Sequence, residues 1–137
     1  MKYLPLISVL ALCSCSTTPQ AAQQASARTA NIQADLEAEL AGLVPGKPAV
    51  CLPVALRTQV NSRTFGSTIV YSVSDREKYR TETTGGCATA SNGRGFLVTN
   101  NPIGRSCRGD IVQVIDPITN VALGSCALGE FVPYTRP

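Results

Sequence analysis

The segment Ile111–Cys126, IVQVIDPITNVALGSC, predicts a β-hairpin within a chain of 137 residues. Ile111–Ile115 and Val121–Leu123 are rich in β-branched residues, which favour extended strands. Asp116–Asn120 lies between them and combines proline with turn-forming Asp and Asn. Antiparallel pairing around this turn places the first residue of the segment opposite the last.

The remainder of the C-terminal two-thirds has the same composition and predicts six or seven short strands in all. Two further strands are expected at Thr68–Val73 and Phe96–Thr99, with clusters of Gly, Asn, Ser and Pro between the strands. We therefore expect a mainly β domain over residues 45–137. Its architecture would be a small antiparallel sandwich or a partly closed barrel.

An amphipathic helix is predicted over residues 31–44, before the β domain. Asn31 is its candidate cap, and the apolar residues that recur at helical spacing are Ile32, Leu36, Leu40 and Leu43. This face could pack on the chain's own domain or dock a partner. Residues 15–30 carry small and polar side chains, which predicts a flexible tether.

The N-terminus predicts export. Tyr3–Leu12 is an apolar run that follows Lys2 and is too short to span a hydrocarbon core of roughly 30 Å. The following residues, Leu12-Cys13-Ser14-Cys15, resemble the lipobox of bacterial lipoproteins. That resemblance implies a signal peptide over residues 1–14 and acylation of Cys15, for example with palmitate.

The address implied by the lipobox is the outer membrane on the side that faces the periplasm, because Ser16 rather than Asp follows the acylated cysteine. Acyl chains on Cys15 would hold the protein to the membrane. The alternative is a plain secretory signal cleaved near Ala21 or Ala22.

Four cysteines remain once Cys13 and Cys15 are assigned to the signal region: Cys51, Cys87, Cys107 and Cys126. An even number in a small exported domain predicts two disulfides. A zinc site built from all four is the alternative, although no pair has C-x2-C spacing. The predicted hairpin offsets Cys107 and Cys126 by about 13 Å, beyond the ~7 Å that a disulfide spans. We therefore favour the pairs Cys51–Cys107 and Cys87–Cys126.

Candidate functional residues are sparse. The 12 Lys+Arg and 9 Asp+Glu give a net charge of only +3, and histidine is absent, which excludes triads and proton shuttles that need an imidazole. We expect no cofactor, no bound metal and no nucleic-acid partner. Arg76, Lys78 and Arg80 alternate and could form an anion-binding row for an acidic envelope protein, an anionic lipid or a glycan. A solvated outer face or charged edge is the alternative interpretation.

Catalysis would have to use carboxylates. Asp110, Asp116 and Glu130 could meet across the C-terminal strands and act as an acid/base pair. The stretch Leu128–Tyr134 predicts a last strand that closes the core through Phe131, with a recognition patch as the alternative.

Four short elements resemble a family of small exported proteins and lipoproteins of sphingomonad-like bacteria, which is classed as a domain of unknown function. The elements are GKPAVC at 46–51, GGC at 85–87, CRGDIV at 107–112 and LGEFVPY at 128–134. The resemblance covers about residues 45–136. It implies one domain with an envelope address, and it brings no catalytic residues with it.

These observations predict a non-catalytic lipoprotein that binds an envelope component or inhibits an envelope-directed hydrolase. The alternative is a small carboxylate-dependent hydrolase or carbohydrate-active enzyme.

Overall fold

A single curled sheet forms the body of the protein in a computed structural model that describes residues 18–53, 60–101 and 104–137. The elements within these residues are α1 (Pro19–Glu39), β1 (Val44–Pro45), β2 (Asn61–Phe65), β3 (Thr68–Ser74), β4 (Glu77–Gly85), a 3₁₀ helix (Cys87–Asn92), β5 (Phe96–Thr99), β6 (Ile111–Ile115) and β7 (Ala122–Thr135). The seven strands pair antiparallel and curl into a half-barrel. The prediction of a mainly β, partly closed barrel is therefore confirmed.

The long strand β7 organises the sheet, whose order is β2-β3-β4-β7-β6-β5. One edge of β7 pairs with β4, and the other pairs first with β6 and then with β1. The central position of β7 explains why its inward side chains Cys126, Leu128 and Phe131 are all buried. Phe131 is fully buried and packs against Tyr71 of β3, with ring centroids 5.9 Å apart.

The inner face of the half-barrel holds the main core. Its fully buried members include Ile69 on β3 and the residues Val112 and Val114 on β6. On β6 the two valines alternate with exposed neighbours, as expected when one face of a sheet is buried, whereas both neighbours of Ile69 on β3 are buried as well. The 3₁₀ helix packs on the inner side and brings the fully buried Cys87 into this core.

The helix α1 begins at Pro19, twelve residues before the predicted start at Asn31. Residues 19–30 are therefore helical where a flexible tether was predicted. The Thr18 hydroxyl caps the helix by accepting a hydrogen bond from the N–H of Ala21, at 3.4 Å, and proline suits the first helical position. The extension was missed because Ala and Gln stabilise a helix without adding a large apolar side chain to the periodic pattern.

The C-terminal half of α1 packs on the outer face of the sheet, as its apolar spacing predicted. Leu36 is buried with Phe65 and Val70, and the half-buried Ile32 and Leu40 join this second cluster. The helix ends at Glu39 instead of residue 44, because the chain turns through a left-handed conformation at Gly42, with φ 74°.

The hairpin forms with the predicted turn but not the predicted register throughout. Ile115 faces Ala122 as expected; a bulge then shifts the register, so that Cys126 faces Val112 instead of Ile111. A bulge adds one residue to one strand of a pair. No local feature of the sequence predicted a bulge at this position.

Both predicted disulfides are confirmed. Cys51 and Cys107 lie 3.9 Å apart at their Cα atoms, and Cys87 and Cys126 lie 5.3 Å apart. The zinc alternative for these four cysteines is therefore wrong.

Cys13 and Cys15 lie outside the described residues, so lipid attachment stays a prediction. Among the described residues, no helix is long and apolar enough to cross a membrane.

Candidate binding groove on the outer face of the sheet

The outer face of the sheet is covered by α1 on one side only. α1 packs over β2 and β3, whereas the outer residues of β4 and β7 lie beside it. Two cavities of about 440 and 360 Å³ occupy this uncovered area, and both are lined by Arg80 and Glu82. Because they share these residues, we treat them as one outer groove.

One end of the outer groove is lined by α1 and the other by β7. At the α1 end the lining residues include Gln33, Ile32 and Phe65. At the β7 end they are Val132, Tyr134 and Glu130. The groove therefore has an apolar wall at each end and polar groups at its centre.

The polar centre is a network of side chains from β3 and β4. Glu82 accepts hydrogen bonds from the Thr68 hydroxyl at 2.9 and 3.0 Å, and from Nε of Arg80 at 2.9 Å. Arg80 also donates to the Tyr134 hydroxyl at 3.5 Å. Burial lowers the pKa of Arg80, but the hydrogen bonds with Glu82 and Tyr134 outweigh it and raise that pKa above the ordinary value. The guanidinium thus keeps its charge and a defined orientation.

Glu130 lies beside Glu82 because of a bulge in β7. Thr81 faces Phe131 and Thr83 faces Leu128, so β7 places both Gly129 and Glu130 opposite the single residue Glu82. The backbone approach is close: a Cβ on Gly129 would lie 2.5 Å from the Glu82 carbonyl oxygen. Bulges of this kind re-aim side chains and are common beside functional sites.

Glu130 forms an ion pair with a residue from outside the groove. Arg108 of the turn before β6 donates to it at 3.1 Å, and both side chains are about half exposed. Surface pairs of this kind contribute little to stability. Their effect here is to orient the Glu130 carboxylate.

The predicted anion-binding row is divided by the fold. Lys78 and Arg80 lie on the outer face of β4, but Lys78 pairs with Glu39 and Arg80 with Glu82. Arg76 lies before the strand, in the β3–β4 turn. Two of the three cations are thus engaged within the fold, and an anion-binding role for the row stays a prediction.

The three predicted catalytic carboxylates do not form one cluster, because Asp116 lies far from Asp110. Asp110 accepts hydrogen bonds from the Cys107 N–H at 2.7 Å and the Asn101 amide at 2.9 Å, so it holds the turn before β6. Asp116 lies at the opposite end of β6, six residues and about 20 Å away. There the backbone N–H groups of Thr119 and Ile118 hold the pKa of Asp116 below its ordinary value of 3.8.

The sequence did not single out Glu82, which is the central carboxylate of the outer groove. It lies in a polar stretch of β4 with no motif around it. Its partners Thr68 and Arg80 reach it through strand pairing and through the two-residue spacing of one strand face. Only the β3–β4 register could have revealed the cluster.

Of the two roles considered for the Leu128–Tyr134 stretch, closure of the core is confirmed and the recognition patch stays a prediction. Phe131 closes the core, as predicted, whereas Tyr134 on the opposite face is half-buried at the end of the outer groove. The two side chains diverge because residues 131 and 134 lie on opposite faces of β7.

Two other surface features lie outside the outer groove, namely a cavity and an exposed apolar pair. A cavity of about 330 Å³ opens at one end of the half-barrel, beside Leu52, Tyr71 and Arg105, and burial raises the pKa of Tyr71 to about 12. On the outside of the edge strand β5, Phe96 and Val98 are exposed. In the described part of the chain no group of Cys, Asp or Glu side chains is arranged to hold a metal ion.

The chain matches no protein-family model, no curated protein and no solved structure. The resemblance to the family of exported proteins and lipoproteins of unknown function therefore stays a prediction.

Proposed function

We propose that the protein is a non-catalytic lipoprotein, anchored through Cys15 to the outer membrane and facing the periplasm, that binds an envelope component in the outer groove. One observation carries the proposal. The charged groups of the groove, Arg80, Glu82 and Glu130, are already oriented by partners but remain accessible from solvent.

A prearranged and accessible set of donors and acceptors is suited to recognition. Side chains held by neighbours lose less conformational freedom when a ligand binds, so more of the interaction energy appears as affinity. Catalysis by two carboxylates, in contrast, needs one group protonated and one ionised at a reacting bond. Here both groove carboxylates are paired with guanidinium groups.

A small carboxylate-dependent hydrolase is the second candidate. The observation in its favour is that the β7 bulge places Glu82 and Glu130 side by side, a pair of the type that cleaves glycosidic bonds. It is less favoured because the groove is an open surface, whereas such chemistry gains from a site that excludes water.

The test of the address is acylation. Radiolabelled palmitate should enter the protein in cells and should not enter a Cys15→Ala variant. Equal labelling of both would contradict the lipid anchor.

The test of the site is photo-cross-linking in intact cells. A photoreactive amino acid in place of Val132 should capture an envelope component, whereas the same group in place of Thr119, at the exposed β6–β7 turn, should not. Equal capture from both positions would contradict the groove as the binding site. Turnover of an envelope substrate that Glu82→Gln and Glu130→Gln each abolish, with the fold intact, would replace the binding function with the enzymatic one.

A further inference from the structure

The backbone beneath the outer groove is fully occupied by the sheet, and this restricts what the groove can bind. Its floor is formed by β3, β4 and β7, each of which has a paired neighbour on both sides. Extended peptides gain affinity by adding to a free strand edge. The groove has no such edge to offer and must recognise its ligand through side chains alone.

The charges that line the groove are balanced once Arg108, which lies beside it, is counted. Arg80 pairs with Glu82, and Arg108 pairs with Glu130. A balanced centre lacks the field of one sign that attracts a polyanion or a polycation. This disfavours an anionic headgroup or a strongly charged protein segment and favours an uncharged ligand rich in hydrogen-bonding groups.

The groups available match the hydroxyls and ring faces of a sugar. The carboxylates of Glu82 and Glu130 accept hydrogen bonds, and the guanidinium of Arg80 donates them. Tyr134 and Val132 supply an apolar wall against which the C–H face of a pyranose ring can lie, with the Tyr134 hydroxyl at its polar edge. An apolar wall with a few directed polar groups is the usual composition of a small-ligand site.

The dimensions suit a chain of sugars better than a single one. The two cavities, of about 440 and 360 Å³, each fall within the range of roughly 300–1,000 Å³ that is typical of ligand sites. They meet at the Arg80–Glu82 pair, so a linear ligand could occupy both and cross the pair between them.

We propose that the ligand of the outer groove is a linear, uncharged glycan chain, with Tyr134 as the ring platform and Arg80, Glu82 and Glu130 as the hydroxyl-binding groups. This inference rests on the proposed binding function and names the ligand class for the same site.

The test is titration of the purified full chain with a hexamer of N-acetylglucosamine and with a hexamer of glucose, followed by backbone amide NMR. At least one oligomer should bind, and the amide shifts should concentrate at Thr68, Arg80, Glu82 and Tyr134. Glu130→Gln and Tyr134→Ala should each weaken binding about tenfold, which corresponds to the loss of one good contact.

The matched control is Asp35→Asn, which removes one carboxylate from an exposed position of α1 outside the groove and should leave the affinity unchanged. Glu130 is exposed, so Glu130→Gln keeps the test valid even if Tyr134→Ala fails to fold. Binding that neither groove variant weakens, or shifts confined to another surface, would overturn the inference. So would the failure of both oligomers to bind.

The outcomes also separate this inference from the function on which it rests. If cross-linking from position 132 captures a protein and no oligosaccharide binds, the binding function stands and the glycan ligand is wrong. If cross-linking captures nothing and no oligosaccharide binds, both are wrong.

Discussion

Lys78 on β4 fastens the end of α1 to the sheet by binding Glu39 twice. Its ammonium group donates to the Glu39 carbonyl oxygen at 2.8 Å and also pairs with the Glu39 carboxylate. A cation at the last carbonyls of a helix complements the helix dipole. Both side chains are nearly buried, at 13% and 12% exposure, so this contact is more protected from solvent than the ion pairs around it.

Removal of Lys78 should destabilise the fold. We expect Lys78→Met to lower the free energy of unfolding by about 2 kcal/mol, because it leaves the Glu39 carboxylate and carbonyl without this donor. Arg63 also pairs with Glu39 but is 64% exposed, so Arg63→Met should cost less than about 1 kcal/mol. Urea denaturation of the two variants checks the order, and equal losses would contradict it.

Acid should weaken the same attachment. Burial raises the pKa of Glu39, but the hydrogen bond and charge of Lys78, together with Arg63, outweigh burial and hold that pKa below its ordinary value of 4.5. The stabilisation is thus present above 4.5 and is lost as the pH falls through the lowered pKa. The stability difference between the wild type and Glu39→Gln should shrink on acidification below 4.5. A difference that stays constant in urea titrations over that range would refute the assignment.

The two disulfides should differ in accessibility to reductant. Cys87 and Cys126 are buried in the core, whereas Cys51 and Cys107 are half-buried beside the surface. Under native conditions we therefore expect limited reductant to open Cys51–Cys107 first. Alkylation and peptide mass spectrometry report the order, and the same treatment in denaturant, where the order should disappear, is the control. Earlier alkylation of Cys87 in the folded protein would be inconsistent with its burial.

Two of the three phenylalanines of the barrel, Phe131 and Phe96, provide a matched test of the core. Phe131→Ala should cost about 3–5 kcal/mol of stability, because it empties a fully buried site against Tyr71. Phe96→Ala makes the same chemical change at a side chain that is 47% exposed on an edge strand. Its cost should be below about 1.5 kcal/mol, the lower end of the gain from burying a large apolar side chain. Thermal and urea unfolding of both variants provide the comparison, and similar losses would place the core elsewhere.

The bulge beside the groove requires a glycine. In Gly129→Ala the new methyl group would meet the Glu82 carbonyl oxygen at 2.5 Å, whereas at Gly86 the nearest atoms are 3.5 Å away. Gly129→Ala should lose about 1–3 kcal/mol of stability, the usual cost of overpacking, and Gly86→Ala should lose much less. Unfolding experiments on the pair measure this, and a neutral Gly129→Ala would show that the bulge adapts.

Local sequence determined strands such as β3, β5 and β6 and the apolar face of α1, and it excluded one of the three possible disulfide pairings. β-branched runs such as Ile111–Ile115 favour an extended backbone. The predicted hairpin geometry by itself excluded a disulfide between Cys107 and Cys126, because it places them too far apart. The early start of α1 at Pro19 was within reach of the sequence too, since Thr18 and Pro19 form a recognisable start signal.

Only the tertiary structure decided the outer groove. Glu82 meets Arg80 and Thr68 through the β3–β4 register, and it meets Glu130, 48 residues further along the chain, through a bulge in β7. Register and bulges follow from how whole faces pack, because a shift of one residue exchanges the two faces of a strand. The groove therefore forms only once β4 and β7 are paired and α1 has packed beside them on the outer face of the sheet.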